Sequence, residues 1–323
     1  QSAKEIYKWN DNDEVLVPSL TWPTTVAPVI QSGLKPVFVD CNLNDFSFDY
    51  NDLKKKITKK TRAIFLAHII GFPADIIKIK KIIKDKNILI LEDSCESQGA
   101  TFNKKKVGNF GLASSFSFYW GHHLTTIEGG MITTNDKIFY HTCLLKRSHG
   151  LARELPKKLH SKIKKKYKNI DFKFLFLNCG FNVRNTEINA YLGRFQLPQI
   201  NNWIKKRNNN YNNFYKICLK YEAHLNLTNN KGISSFVLPF IFKKKKDKQD
   251  FEQLLIKNGI ETRPFIAGNL LKQPFLKKYN TINLPNVTFL HTNSFYIGNN
   301  QFVDEKKITK LKKLMYSFFN ERS

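Results

Sequence analysis

Two adjacent imidazoles, His122 and His123, stand between an aromatic run and a Gly-Gly pair in the stretch FSFYWGHHLTTIEGG, residues 116–130. Upstream, LEDSCESQG at 91–99 puts Asp93 and Glu96 directly behind an apolar run. An imidazole and a carboxylate held together at strand ends could take and return protons near neutral pH. On a strand, neighbouring residues face opposite sides, so if His122 faces a pocket, His123 is expected to face away. One packed and one exposed histidine is the plain alternative. For Asp93 the alternative is a helix N-cap, and for Trp22, just beyond an apolar run, it is ordinary core packing. Arg153, Arg184 and Arg263 are three of only eight arginines in a chain with 53 basic residues. Arginine used where lysine is abundant points to carboxylate or phosphate recognition, with surface ion pairs as the alternative.

Such residues need elements that bring strand ends together. The runs 14–19, 35–40, 63–68 and 88–91 read as strands, and 24–31, 50–58 and 75–84 read as helices between them. This alternation predicts an α/β unit with a largely parallel sheet. Ligands bind beyond the carboxyl ends of such strands, where Trp22, His68, Asp93 and His122 fall. Further on, 131–135 reads as a strand, 136–147 as a helix, 151–168 as a lysine-rich loop or irregular helix, and 187–219 as mostly helical. A strand at 236–242 and helices at 250–258 and 304–319 suggest a smaller unit. The expected division is a large domain over 1–205 and a small α/β domain over 206–323. The lysine run 243–248 reads as a solvated hairpin or loop tip.

A chain of 323 residues with 41% hydrophobic content can build this core. No apolar run reaches the ~18 residues of a membrane span. The opening QSAKEIYKWNDNDEV has neither Met nor a signal-peptide pattern, so the chain is expected to be N-terminally truncated. The net charge is +27, yet the excess is nearly all lysine spread along the chain. That bias fits a solvated surface and an AT-rich coding background rather than specific nucleic-acid or membrane binding, though it would attract anionic ligands. Cysteines 41, 95, 143, 179 and 218 are odd in number and lack any CxxC. They suggest free thiols, a reducing (cytoplasmic) compartment and no metal site.

LEDSCESQG, VGNFG at 107–111, the 116–130 stretch and RSHG at 147–150 follow one another as they do in the DegT/DnrJ/EryC1/StrS family. The chain resembles that family along nearly its whole length, including NVRNTE at 182–187 and ETRPFIAGN at 261–269. The resemblance implies the aspartate aminotransferase-like fold of type I pyridoxal-phosphate (PLP) transferases. Most members carry a lysine at the position of His122 and bind PLP covalently through it. Histidine there is shared by a subgroup of 3-dehydratases of nucleotide-linked 4-keto-6-deoxy sugars. This chain resembles members acting on GDP-4-keto-6-deoxymannose, which supply 3,6-dideoxysugars such as colitose to O-antigen polysaccharide.

The subgroup implies a non-covalent cofactor working as pyridoxamine phosphate (PMP). Asp93 would pair with the ring nitrogen, Glu96 would approach the phenolic oxygen, and Trp22 would lie on the ring face. Ser117 would bind the phosphate, and Asn182 would reach it from the other subunit of a homodimer. Arg153 and His149, with Arg184 and Arg263, would hold the nucleotide sugar. His122 would remove a cofactor proton and protonate the departing C3 hydroxyl, with ammonia released and L-glutamate restoring PMP. The competing expectations are a nucleotide-sugar aminotransferase using some other lysine, or a non-catalytic homologue binding cofactor or polyanion. A related dehydrase of CDP-linked sugars carries an iron–sulfur cluster on cysteines that include one pair separated by a single residue. Here the downstream cysteines are 36 and 39 residues apart, so no cluster is expected. The family's phosphate cup lies about one helix before the first strand. Residues 1–323 alone are therefore expected to hold cofactor weakly.

Overall fold

Each apolar run of the first half is followed by a helix or loop that carries the chain back, so the strands pair in parallel. The computed structural model describes residues 1–228 and 231–320. Helix α1 (Ser2–Ile6) leads into β1 (Glu14–Pro18), α2 (Pro23–Gln31), β2 (Lys35–Val39), α3 (Tyr50–Lys56), β3 (Thr61–Ala67), α4 (Ile76–Ile82) and β4 (Leu89–Asp93). A small hairpin, β5 (Thr101–Phe102) and β6 (Lys105–Lys106), precedes β7 (Ala113–Ser117) and β8 (Gly130–Thr134). The sheet order is β2-β1-β3-β4-β7-β8, parallel except for β8, which pairs antiparallel with β7. Helix starts are set by side chains. Asp49, Asp75 and α5's Asp136 each accept a backbone N–H three residues on, with α5 spanning Lys137–Arg147.

The lysine-rich stretch is irregular: a 3-10 turn at Ala152–Glu154 is followed by α6 (His160–Lys166). Then come α7 (Glu187–Gln196) and the long α8 (Ile200–Cys218), which runs unbroken through 205/206. The second half holds β9 (Val237–Ile241), α9 (Lys245–Lys257), β10 (Thr262–Pro264), α10 (Pro285–Asn293), β11 (Ser294–Gly298) and α11 (Glu305–Asn320). Its strands form an antiparallel sheet in the order β10-β11-β9. Phe240, Phe242, Phe251, Phe295 and Phe319 fill the core behind it. The same cluster continues through Tyr211 and Phe214 on α8 to Phe72, Phe46 and Val17 under the large sheet.

Two sequence expectations are corrected. The 243–248 run is largely the first turn of α9, because Asp247, Phe251 and Leu255 bury one face. Lys246–Asp250 and Lys248–Glu252 pairs brace the helix. The aromatic run at 116–120 is not a strand throughout: β7 ends at Ser117 and the chain then turns.

Candidate functional site

Asp93 is the last residue of β4, at the carboxyl edge of the sheet. Its Oδ2 accepts a hydrogen bond from Thr25 Oγ1 at 2.8 Å, and its Oδ1 accepts the Cys95 N–H at 3.1 Å. A turn, not a helix, follows it, so the N-cap alternative falls away. Thr25 lies in the first turn of α2, and Trp22 stands at the head of that helix. The indole is 59% exposed, so it is not core; its face is open beside the strand ends.

Glu96 sits in the turn after β4 and accepts the Ile70 N–H at 2.8 Å. Burial, helped by the nearby charge of Asp93 and opposed by the Ile70 bond, pushes its pKa up to about 7. Ile70 is held at φ 44°, beside Gly71 at φ 97°. A Cβ on Gly71 would lie 2.0 Å from the Ser234 carbonyl oxygen, so only glycine permits this approach. Across it the Ser234 and Phe236 N–H groups donate to the carbonyls of Gly71 and Ile70, at 2.9 and 3.2 Å. The segment before β9 is thereby brought to the ends of the large sheet.

His122 follows β7 in a turn closed by its own N–H on the Tyr119 carbonyl at 3.0 Å. The strand-alternation rule does not apply there, and both imidazoles lie against the Phe236 ring, with centroids 5.2 and 5.7 Å away. They differ in surroundings. His123 is buried, with Nε2 3.2 Å from the Ser234 carbonyl and 3.1 Å from its Oγ. His122 is half-buried, and its buried Nδ1 has no hydrogen-bond partner among the described residues. Burial pulls the His122 pKa down to about 4; Asp93 raises it and Arg207 lowers it further. The near-neutral titration expected of an unperturbed ring is therefore corrected: at pH 7 this imidazole is neutral.

Ser117 ends β7; its Oγ accepts the Tyr119 N–H at 3.2 Å and its carbonyl accepts Gln98 Nε2 at 2.6 Å. Gln98 Oε1 also accepts the Leu124 N–H at 3.1 Å, so one side chain clamps both ends of the histidine turn. His68, at the end of β3, is committed elsewhere. Its Nδ1 accepts the Ala74 N–H at 3.1 Å, and its Nε2 lies 3.1 Å from Glu92.

Arg263, on β10, pairs with the exposed Glu261 at 3.0 Å, and Tyr296 and Tyr119 lie close enough to act on its charge. Tyr296 in turn feels Glu96: burial, then that carboxyl, pushes the phenol up to about 12. Across the small sheet Arg263 stands opposite Tyr296. The other candidates form a separate group. Ser148 bridges to Asn182, the His149 N–H donates to Phe181 at 2.7 Å, and Arg153 Nη1 reaches the Lys173 carbonyl at 3.4 Å. Asn182, Arg153 and Arg184 are exposed, and among the described residues none of this group hydrogen-bonds to His122 or Asp93.

Sequence reading missed Thr25, Gln98, Phe236 and Arg207. Only Arg207 left a trace, as an arginine in the Lys-Lys-Arg of α8 without an acidic neighbour. Among the described residues no group of three His, Cys, Asp or Glu side chains could hold a metal, and no helix is long and apolar enough to cross a membrane.

The profile of the DegT/DnrJ/EryC1/StrS aminotransferase family matches residues 3–311. A GDP-4-keto-6-deoxy-D-mannose 3-dehydratase of Escherichia coli O55:H7 is 38% identical over 297 residues, 90% of this chain and 76% of that protein. A GDP-perosamine synthase of Escherichia coli O157:H7 is 34% identical over 198 residues, 61% of this chain and 50% of its own. A crystal structure of GDP-4-keto-6-deoxymannose-3-dehydratase with a trapped PLP-glutamate geminal diamine superposes with a TM-score of 0.86 at 35% identity. That match covers 94% of this chain and 81% of the other.

Proposed function

The chain belongs to the DegT/DnrJ/EryC1/StrS aminotransferase family, and from that premise we propose that it is a PLP/PMP-dependent 3-dehydratase of GDP-4-keto-6-deoxymannose, with L-glutamate as amino donor. The observation that carries the reading is His122, an imidazole where most of the family has its cofactor lysine. The activity named for the Escherichia coli O55:H7 relative and the PLP-glutamate adduct in the similar crystal structure support it.

The residues present fit a phosphorylated pyridine. Asp93 offers a carboxylate at a strand end, Trp22 an open indole face, Ser117 a hydroxyl, and His122 a nitrogen without a protein partner. When bound, PMP supplies the amine that takes up the sugar ketone and an electron sink for the proton removed. Asp93, held in aim by Thr25, would keep the ring nitrogen protonated. Glu96 would meet the phenolic oxygen, and a carboxyl near pH 7 in its titration can stand there as donor or acceptor. His122 is neutral at working pH, so its unprotonated ring nitrogen can accept a proton and then return one to the leaving C3 hydroxyl. No lysine is required at that position.

Arg153, His149 and Arg184 would hold the nucleotide sugar, with Arg263 entering from the β10 side. Asn182 would serve the site of a second copy in a homodimer. The division into 1–205 and 206–323 remains our reading of the domain organisation, with α8 crossing it. A cytoplasmic location is supported by five free cysteines.

The test is to incubate the protein with PLP, L-glutamate and GDP-4-keto-6-deoxymannose and weigh the sugar product. The expected product lacks one oxygen and contains no added nitrogen, with ammonia and a 2-oxo acid released. His122→Asn should lower turnover by about a hundredfold or more. A product bearing an amine would make the chain an aminotransferase, and an unchanged sugar would overturn the substrate.

A further inference from the structure

Arg207, on α8, is 3% exposed, and among the described residues no carboxylate lies within ion-pair reach of it. Burying a guanidinium without a counter-charge is costly, and a helix can usually let an arginine reach solvent. Here the side chain is held inside. Nη1 donates to the carbonyl of Phe236 at 3.2 Å and to that of Asn299, while Nε has no acceptor. Asn299 Nδ2 donates back to the Arg207 carbonyl at 3.0 Å and to Ser235 Oγ at 2.9 Å. Asn208 Oδ1 accepts the Ser235 N–H at 2.8 Å. These bonds fix residues 235 and 236 against α8, and Phe236 is the ring that both His122 and His123 touch.

We propose that Arg207 is a positioning residue for His122: it fixes Phe236 beneath the imidazole and turns an unpaired positive charge toward it. The proposal rests on His122 serving as the proton carrier. The groups facing that ring are Asp93 from β4, Arg207 from α8, His123 in the same turn, and the Tyr119 ring at 6.3 Å. Asp93 draws a proton to His122, while Arg207 opposes it at both histidines. Burial lowers the guanidinium itself only to about 10, so it stays charged at neutral pH. Burial is the larger cause that keeps the imidazole neutral; against the pull of the acidic strand end, the buried arginine adds to it.

The experiment is a histidine-labelled NMR titration of the ligand-free full chain, with the His122 signal assigned by its loss in His122→Asn. Arg207→Met is expected to raise the His122 midpoint by about one pH unit and to carry the acid limb of the kcat/KM profile up with it. Arg207→Lys should return both toward the starting values. An unchanged midpoint in a folded Arg207→Met protein overturns the proposal. If that variant does not fold, Phe236→Leu keeps the charge and removes the ring: the His122 and His123 signals should lose their ring-current displacement, and unchanged signals overturn the proposal equally. Turnover that survives His122→Asn would sink the base assignment alone, since the titration in Arg207→Met does not depend on catalysis.

Discussion

Burial acts on Glu96 and His122 in opposite directions and leaves both neutral over the same range. The carboxyl is pushed up to about 7 and the imidazole down to about 4. Between the unfolded carboxyl value of ~4.3 and its folded value, the native state binds the Glu96 proton more tightly than the unfolded chain does. Stability therefore falls as pH rises through that window. His122, lowered in the folded state, gives the opposite slope over this window, so the Glu96 part is read as a difference: between pH 5 and 8 the ligand-free wild type should lose roughly two to three kcal/mol relative to Glu96→Gln, and parallel pH profiles of the two proteins would refute the shift. Asp93, Glu96 and His122 were legible because they lie close in sequence and carry the family's spacing. Arg207 and Phe236 were not, because they reach His122 only through the contact that Gly71 permits between distant loops.

Along β4 the alternation of a strand divides two acidic neighbours between two tasks. Asp93 turns to the candidate site, while Glu92 turns inward, where its carboxylate accepts the N–H groups of Gly108, Phe110 and Gly111 at 2.7, 2.6 and 2.7 Å. Burial alone would raise the Glu92 pKa, but the His68 bond, with these backbone donors, outweighs it and leaves it lowered. Its contribution to stability is present above the unfolded carboxyl value and is lost as pH falls through the folded one. Glu92→Gln, which keeps one oxygen acceptor, should cost about 2 kcal/mol in urea unfolding at pH 7, with a flatter acid branch. An effect below a few tenths of a kcal/mol would mean that the loop is held by something else. The strands and helices of the large sheet were readable from apolar runs alternating with helical stretches. The start of α9 was not, because six residues of mostly lysine hide the period that Asp247, Phe251 and Leu255 reveal.

At the scale of the molecule, α7 has no buried residue, yet Ile188, Tyr191 and Phe195 share one of its faces at 75%, 70% and 78% exposure. Met131, Ile132 and Ile138 are exposed as well, and an apolar helix face left open to water marks an interaction surface. A second copy of the chain is the proposed cover. Sedimentation should find a dimer, and Phe195→Glu should shift it to monomer while helix content is kept; a monomeric wild-type chain would refute the homodimer. The +27 charge does not prevent such pairing, because lysine is nearly absent from that stripe and salt screens the rest. The four tryptophans divide two and two. Trp9 and Trp203 are half-buried, whereas Trp22 and Trp120 stand open, the first beside Asp93's partner Thr25. The chain therefore carries its own optical reporter: its emission is set partly by water at the mouth of the site, and any flat molecule settling on Trp22 would change the colour and yield of the light.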